Sequence, residues 1–119
     1  MHGPPVVFYE RTGNWAAVWR RLEARLAPTA GRALPPRLVE TRSAAECREA
    51  LTKHRGSFLV AELATPSVEP TLELLFHVLL NARDVATAVV APRQLLPYQG
   101  LSRELGAQAF VVSPLEFEA

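Results

Sequence analysis

Short, unbroken apolar runs alternate along this chain with segments whose apolar residues recur every three or four positions. An apolar run of four to eight residues is typical of a buried strand, whereas the longer period is typical of a helix that packs one side against a core. The runs predict strands at residues 6–9, 38–41, 58–61, 85–91 and 109–112. The periodic segments predict helices at about residues 14–26, 43–54, 71–82 and 97–105.

Several residues mark how these helices begin, pack and end. Trp15 and Trp19 fall on one apolar stripe of the first helix, so we expect them to anchor that helix to the sheet. Ser43 and Glu46 have the spacing of a capping box, in which each side chain accepts a hydrogen bond from the backbone amide of the other residue. Gly106 supplies a left-handed end for the fourth helix.

The alternation of strand and helix predicts one α/β domain over residues 1–119. We expect a flavodoxin-like sandwich of three layers, with a five-stranded parallel sheet in the order 2-1-3-4-5 and helices on both faces. In such sheets, functional groups gather where strands one, three and four end. This places Glu10, Glu62 and the loop at residues 91–93 at one rim of the sheet.

Composition and charge exclude several classes of function. Hydrophobic residues make up 49% of the chain and charged residues 21%, and the formal net charge is +1, so we expect neither nucleic acid nor membrane as a partner. No apolar run approaches the roughly 20 residues that span a bilayer, and residues 1–5 lack a secretion signal. The lone cysteine, Cys47, lies on the inner stripe of the second helix and suits a reducing compartment. These features predict a cytoplasmic protein.

The sequence offers no pattern for a metal, a cofactor or a catalytic nucleophile. His2, His54 and His77 do not have metal-ligand spacing, and there is no P-loop or Ser-His-Asp signature. We therefore expect no catalytic residues, no metal and no cofactor.

The residues at the ends of the predicted strands carry a resemblance to a known family. Strand one ends in Tyr9-Glu10, strand three in Glu62 followed by Leu-Ala-Thr-Pro, strand four in Ala91 followed by proline, and strand five in Ser113-Pro114. Over nearly its whole length the chain resembles the receiver domain of bacterial response regulators. The resemblance implies a cis peptide bond between Ser113 and Pro114.

At these positions receiver domains carry groups that this sequence has lost. Where this sequence has Tyr9 and Glu10, receivers have a pair of acids that holds magnesium. Where it has Glu62, they have the aspartate that accepts the phosphoryl group, and where it has Ala91, they have a hydroxyl residue. At the end of strand five receivers have lysine followed by proline. This sequence has Ser113 in place of the lysine and keeps the proline as Pro114. A glutamate is one methylene longer than an aspartate, and misplacement by about 1 Å costs about 10²-fold in a positioned reaction.

The resemblance and its losses together predict a pseudo-receiver that does not accept phosphate and acts as a protein interaction or signalling module. The Glu62 carboxylate is then either a rim group paired with Arg11 or Arg93, or a permanent negative charge that imitates the phosphorylated state.

Two other functions stay open at this point. The segment Thr12-Gly13-Asn14 is similar to the phosphate loop of flavodoxins, which implies an electron carrier that binds flavin mononucleotide. Alternatively, Glu10 and Glu62 form a carboxylate pair for acid–base chemistry in a small hydrolase or transferase.

Two features predict a protein partner, most simply a second copy of the chain in a homodimer. The chain ends before the fifth helix of a receiver, which leaves the sheet face beside helix one uncovered unless residues near the end partly cap it. Helix three is apolar on nearly every side, which requires a cover beyond the sheet. The residues that we expect at the partner interface are Leu75, Phe76, Leu79, Leu115 and Phe117.

Overall fold

A computed structural model describes the backbone of residues 5–30 and 37–112, and the side chains of these residues apart from 23–30. The strands are β1 (Pro5–Tyr9), β2 (Arg37–Thr41), β3 (Phe58–Glu62), β4 (Ala86–Ala91) and β5 (Ala107–Val112). The α-helices are α1 (Asn14–Ala30), α2 (Ala44–Lys53), α3 (Val68–Asn81) and α4 (Gln99–Glu104). Short 3₁₀ turns precede the last two helices, at Thr65–Ser67 and Arg93–Tyr98.

The five strands form a single sheet in the order β2-β1-β3-β4-β5, and every neighbouring pair is parallel. The predicted α/β architecture and strand order are therefore confirmed. Tyr9 lies opposite Ala61, and Glu62 lies opposite Val90, so β1, β3 and β4 end close to one level. This register brings the residues that follow these strands to one rim.

The two faces of the sheet pack against different helices. On one face, β-strand residues such as Val7, Leu59 and Val89 join a core with buried residues of α2 and α3. On the other face, Trp15 and Trp19 of α1 pack against a cluster that includes Phe8, and the Phe8 and Trp19 ring centroids lie 6.1 Å apart in an edge-on arrangement. The two tryptophans thus anchor α1 to the sheet, as predicted.

Several helix bounds differ from the prediction. The α1 backbone continues to Ala30, past the predicted end at residue 26, because an apolar stripe marks where a helix packs and not where its hydrogen bonding ends. Helix α3 begins at Val68, because Pro70 falls in its first turn, where a missing amide costs no helical bond. The predicted fourth helix opens as a 3₁₀ turn that contains Pro97.

The predicted capping residues are found at the ends of α2 and α4, with one change. Ser43 Oγ accepts a hydrogen bond from the Glu46 amide at 3.1 Å, as a capping residue should. The Glu46 carboxylate accepts from the Arg42 amide at 3.0 Å and from the Ser43 hydroxyl at 3.4 Å, but not from the Ser43 amide, so the return half of the predicted capping box is shifted by one residue. Gly106 has φ +102, which confirms the left-handed end of the last helix.

The thiol of Cys47 is completely buried beneath α2. Burial raises its pKa to about 11, because the thiolate would lose its hydration there. Cys47 is therefore an unreactive core residue, as expected.

Three predicted features lie outside the described residues, namely the Ser113–Pro114 peptide bond, Leu115 and Phe117. No helix within residues 5–30 and 37–112 is long and apolar enough to cross a bilayer.

Candidate functional site

The carboxyl ends of β1, β3 and β4 meet at one rim of the sheet and border a cleft of about 290 Å³. Glu62 is the last residue of β3, Ala91 is the last residue of β4, and both line the cleft. Trp15 of α1 forms another wall, with Pro66 and Pro92 from the loops that follow β3 and β4. Glu10, which follows β1, is at the same rim but does not line this cleft.

The Glu10 side chain is turned inward and caps helix α1. It is 3% exposed, and its two carboxylate oxygens accept hydrogen bonds from the Trp15 amide at 2.8 Å and the Ala16 amide at 2.9 Å. The first amides of a helix have no partner within the helix, so this carboxylate satisfies two of them and complements the helix dipole. Both oxygens of Glu10 are therefore already engaged.

Burial sets the proton affinity of Glu10. Desolvation raises the pKa of its carboxyl above the ordinary value, while the Trp15 and Ala16 amides act in the opposite direction. The negative charge of Glu62 also raises this pKa, as a like charge nearby should. On balance the pKa of Glu10 is raised.

The loop between β1 and α1 is held in a shape that directs Glu10 towards the helix. The Glu10 amide donates to the Thr41 carbonyl at 3.3 Å, and the Thr41 hydroxyl donates to the Phe8 carbonyl at 2.8 Å. Gly13 then adopts φ +86, and a Cβ atom at this position would lie 2.7 Å from Nη2 of Arg42. Only glycine fits this turn without strain.

Glu62 is the carboxylate that faces the cleft. Its Oε1 accepts a hydrogen bond from the backbone amide of Arg11 at 3.0 Å. The buried Thr71 hydroxyl donates to the Glu62 backbone carbonyl at 2.9 Å, which ties the start of α3 to the end of β3. This contact uses the main chain of Arg11, so it is not the charge pairing with an arginine that was expected.

Apolar groups occupy two positions where a receiver has polar chemistry. Tyr9 is 8% exposed and belongs to the core on the α2–α3 face, and the methyl group of Ala91 is 1% exposed. The remaining predicted position, Ser113-Pro114, is outside the described residues. Within the described rim, Glu62 alone presents a carboxylate to the cleft.

This arrangement does not fit magnesium. Mg²⁺ demands near-ideal octahedral geometry, at about 2.0–2.1 Å from oxygens of one or two carboxylates, waters and phosphate. The Glu10 oxygens are both bound to helix amides, and Tyr9 adds no carboxylate. Over the described part of the chain, no group of three or more His, Cys, Asp or Glu residues is arranged to hold a metal.

Two roles at this rim were missed by sequence reasoning. From the sequence, Glu10 is expected only as the remaining acid of a lost magnesium site or as half of an acid–base pair, although an acid placed shortly before a helix is also a candidate for a cap. Thr71 was placed only as the start of a helix, and no local pattern distinguishes it from other hydroxyl residues near a helix end.

A second candidate surface is the outer side of α3. Phe76, Leu79 and Leu80 are 52%, 40% and 58% exposed, and a groove of about 340 Å³ between α3 and β5 includes Leu79 and Leu80. We call these three residues the α3 patch. Leu75 was predicted at this interface, but it is 1% exposed because its position on the helix turns it into the core.

The described residues also cover the sheet face beside α1 incompletely. Among the described residues, α1 is the only helix that packs on this face. Phe58 and Val111 are 36% and 43% exposed. Leu115 and Phe117, which are expected to cover part of this face, lie outside the described residues.

The parallel sheet in this order, with helices on both faces, is the receiver-domain fold. No protein-family model matches the sequence, and no curated protein is significantly similar to it. The similarity appears when structures are compared.

Three solved structures illustrate it. The receiver domain of the TMAO respiratory system response regulator TorR has a TM-score of 0.71 and 21% identity, over 98% of this chain and 88% of that chain. A response regulator receiver protein from Burkholderia phymatum has a TM-score of 0.64 and 18% identity, over 94% and 84% of the two chains. A CheY-like receiver domain protein from Methanospirillum hungatei JF-1 has a TM-score of 0.65 and 14% identity, over 95% and 84%.

Proposed function

We propose that this chain is a pseudo-receiver, a cytoplasmic signalling module that works through protein contacts and does not accept a phosphoryl group. The observation that carries the proposal is the state of Glu10. Its two oxygens cap α1 at 2.8 and 2.9 Å, so the one acid kept at the end of β1 is not available to a metal. The receiver fold supports a role in signalling, and the fully buried Cys47 thiol suits a reducing compartment.

The same contact weakens the two alternatives. A flavin phosphate held at the start of α1 would need amides that Glu10 already occupies. An acid–base pair would need both carboxylates at the substrate, whereas Glu10 is 3% exposed. We therefore expect a colourless protein that neither binds flavin nor uses Glu10 in catalysis.

The phosphorylation part of the proposal is tested by intact mass after incubation with acetyl phosphate and magnesium. We expect no added phosphoryl group on the wild type or on Glu62→Asp, because shortening residue 62 does not release Glu10 from the helix. A receiver domain known to be phosphorylated by acetyl phosphate is the positive control. A magnesium-dependent gain of one phosphoryl group at residue 62 would contradict the proposal.

The protein-contact part of the proposal places the dimer interface at the α3 patch. Phe76, Leu79 and Leu80 form a contiguous apolar surface on one helix, and covering it removes apolar area from water. A second copy offers a matching apolar surface, since a two-fold interface uses the same patch on both subunits.

Light scattering tests this interface. We expect the wild type at twice its chain mass of 13.1 kDa, and the double variant Phe76→Ser/Leu80→Ser at the mass of one chain. Leu101→Ser is the matched control, because Leu101 on α4 is 42% exposed and lies outside the α3 patch. A wild type with the mass of one chain would contradict self-association. It would not affect the conclusion from the phosphorylation experiment.

A further inference from the structure

A polar cleft lies between α2 and α3, at the end of the sheet opposite the rim. It has a volume of about 250 Å³ and a floor formed by Leu51 and Ala82. Arg48 and Arg55 line its α2 side and His77 lines its α3 side. Neither the receiver fold nor the proposed function assigns a role to this cleft.

Cations outnumber anions in the cleft. Among the described residues that line it, Asp84 is the one acid, and it is already engaged, because its Oδ2 accepts from the Gly56 amide at 2.8 Å and lies 3.6 Å from Nε of Arg55. Arg48 has no ion pair among the described residues and is exposed. Arg48 and the outer nitrogens of Arg55 therefore offer several N–H donors to an anion.

The α3 wall adds an oriented donor. Nδ2 of Asn81 donates to the His77 carbonyl at 3.0 Å and lies 3.3 Å from Nδ1 of the His77 ring. An amide nitrogen can only donate in a hydrogen bond with Nδ1, and this arrangement leaves the proton of a neutral ring on Nε2. The ring can thus donate from Nε2 to a ligand without first becoming charged.

We propose that this cleft binds the phosphate group of a small, soluble anionic ligand. Planar guanidinium groups match phosphate oxygens with paired hydrogen bonds, and a neutral imidazole N–H adds a further donor. The volume lies just below the roughly 300–1,000 Å³ of pockets for larger organic ligands, so the occupant is small. The proposal is independent of the phosphorylation and dimer arguments.

Inorganic phosphate is the probe, added to the full chain at constant ionic strength while NMR signals of backbone amides and histidine rings are recorded. We expect saturable shifts of the His77 ring and of amides near Arg48, with the His54 ring as an internal reference, because His54 does not line the cleft. Sodium chloride at matched ionic strength controls for screening.

Two variants complete the test. Arg48→Gln removes charged hydrogen bonds, so we expect phosphate affinity to fall at least about tenfold. Arg21→Gln makes the same charge change on α1, on the other side of the sheet, and should stay within about twofold. Both residues are exposed, so folding is preserved, which circular dichroism confirms.

The proposal is overturned if phosphate gives no saturable shift of His77, if chloride reproduces the shift, or if both variants weaken binding equally. Shifts confined to the rim around Glu62 would also overturn it, because they would place the anion at the other end of the sheet.

Discussion

A buried carboxylate such as Glu10 loses hydration when the chain folds, and it stays at this position because two helix amides replace part of that hydration. The amide contacts at 2.8 and 2.9 Å are typical of charge-assisted hydrogen bonds. The raised pKa shows that the replacement is incomplete. One side chain thus fixes the entry of α1 and removes an acid from the rim.

Removal of the Glu10 cap should destabilise the protein. In Glu10→Ala, the Trp15 and Ala16 amides lose their acceptors, and we expect the free energy of unfolding to fall by about 1–3 kcal/mol. Glu10→Gln keeps one acceptor and should lose less. Urea unfolding measures both, with Glu73→Ala on the exposed side of α3 as the control. Equal losses in Glu10→Ala and Glu73→Ala would contradict the role of the cap.

Glu10 should also give a characteristic pH dependence. Its pKa in the folded protein is above the unfolded value of about 4.3, so the folded state holds this proton more tightly. The stabilisation from protonated Glu10 is therefore present at low pH and is lost as pH rises through the raised pKa.

The measurement is the difference in unfolding free energy between the wild type and Glu10→Gln, from pH 3.5 to 7. We expect the free energy of unfolding of the wild type to fall relative to that of Glu10→Gln as pH increases. Hydrogen bonds from Arg42 and from the Gly56 amide lower the pKa values of Glu40 and Asp84, respectively, so these two groups contribute to the pH dependence with the opposite sign. Their contributions cancel, because both are present in the wild type and in the variant. A difference that is flat with pH would show that Glu10 is not perturbed.

At the scale of the elements, α3 has two separate apolar sides. Leu74, Leu75 and Val78 are at most 4% exposed against the sheet, whereas the α3 patch is open. Gly106 lines the groove beside this patch, and a Cβ atom at this position would lie 3.2 Å from Cδ1 of Leu79. The position after α4 therefore requires glycine both for its backbone conformation and for the close contact with Leu79.

Two glycines of the α4 region should respond oppositely to alanine. Gly106 has φ +102, so Gly106→Ala should lower the free energy of unfolding by about 1–3 kcal/mol. Gly100 lies within the helix with no atom near its missing side chain, so Gly100→Ala should raise it by about 0.5–1 kcal/mol. Thermal or urea unfolding checks both signs, and a loss in both variants would contradict the assignment of α4.

At the scale of the whole molecule, the two faces of the sheet are unequally covered by the described residues. Three helices and a large core occupy one face, and α1 with a smaller cluster occupies the other. Together with the α3 patch, this leaves apolar surface in two places. Association at the α3 patch would couple stability to protein concentration.

We therefore expect the unfolding midpoint of the wild type to rise with protein concentration, and that of Phe76→Ser/Leu80→Ser to be independent of it. Leu75→Ala is the contrasting variant, because Leu75 is a core residue of the same helix. It should cost about 2–5 kcal/mol at every concentration, through the lost packing of a buried side chain. A wild-type midpoint that does not change with concentration would argue against the dimer.

The sequence by itself determined the order of strands and helices and the architecture of the sheet. The apolar runs and helical stripes are local, and right-handed parallel connections leave few ways to join them. The same rules placed Glu10 and Glu62 at one rim. Changes such as the 3₁₀ turn around Pro97 concern only where an element begins.

Tertiary structure alone decided which atoms each rim residue meets. Whether Glu10 faces a cleft or a helix depends on the loop through Gly13, and the side of α3 on which Leu75 lies depends on how that helix is rotated against the sheet. The cleft between Arg48 and His77 joins two helices that no local pattern relates. Hydrogen-bond partners and exposed surfaces are set by the relative placement of distant segments, whereas periodicity reports only the faces within each segment.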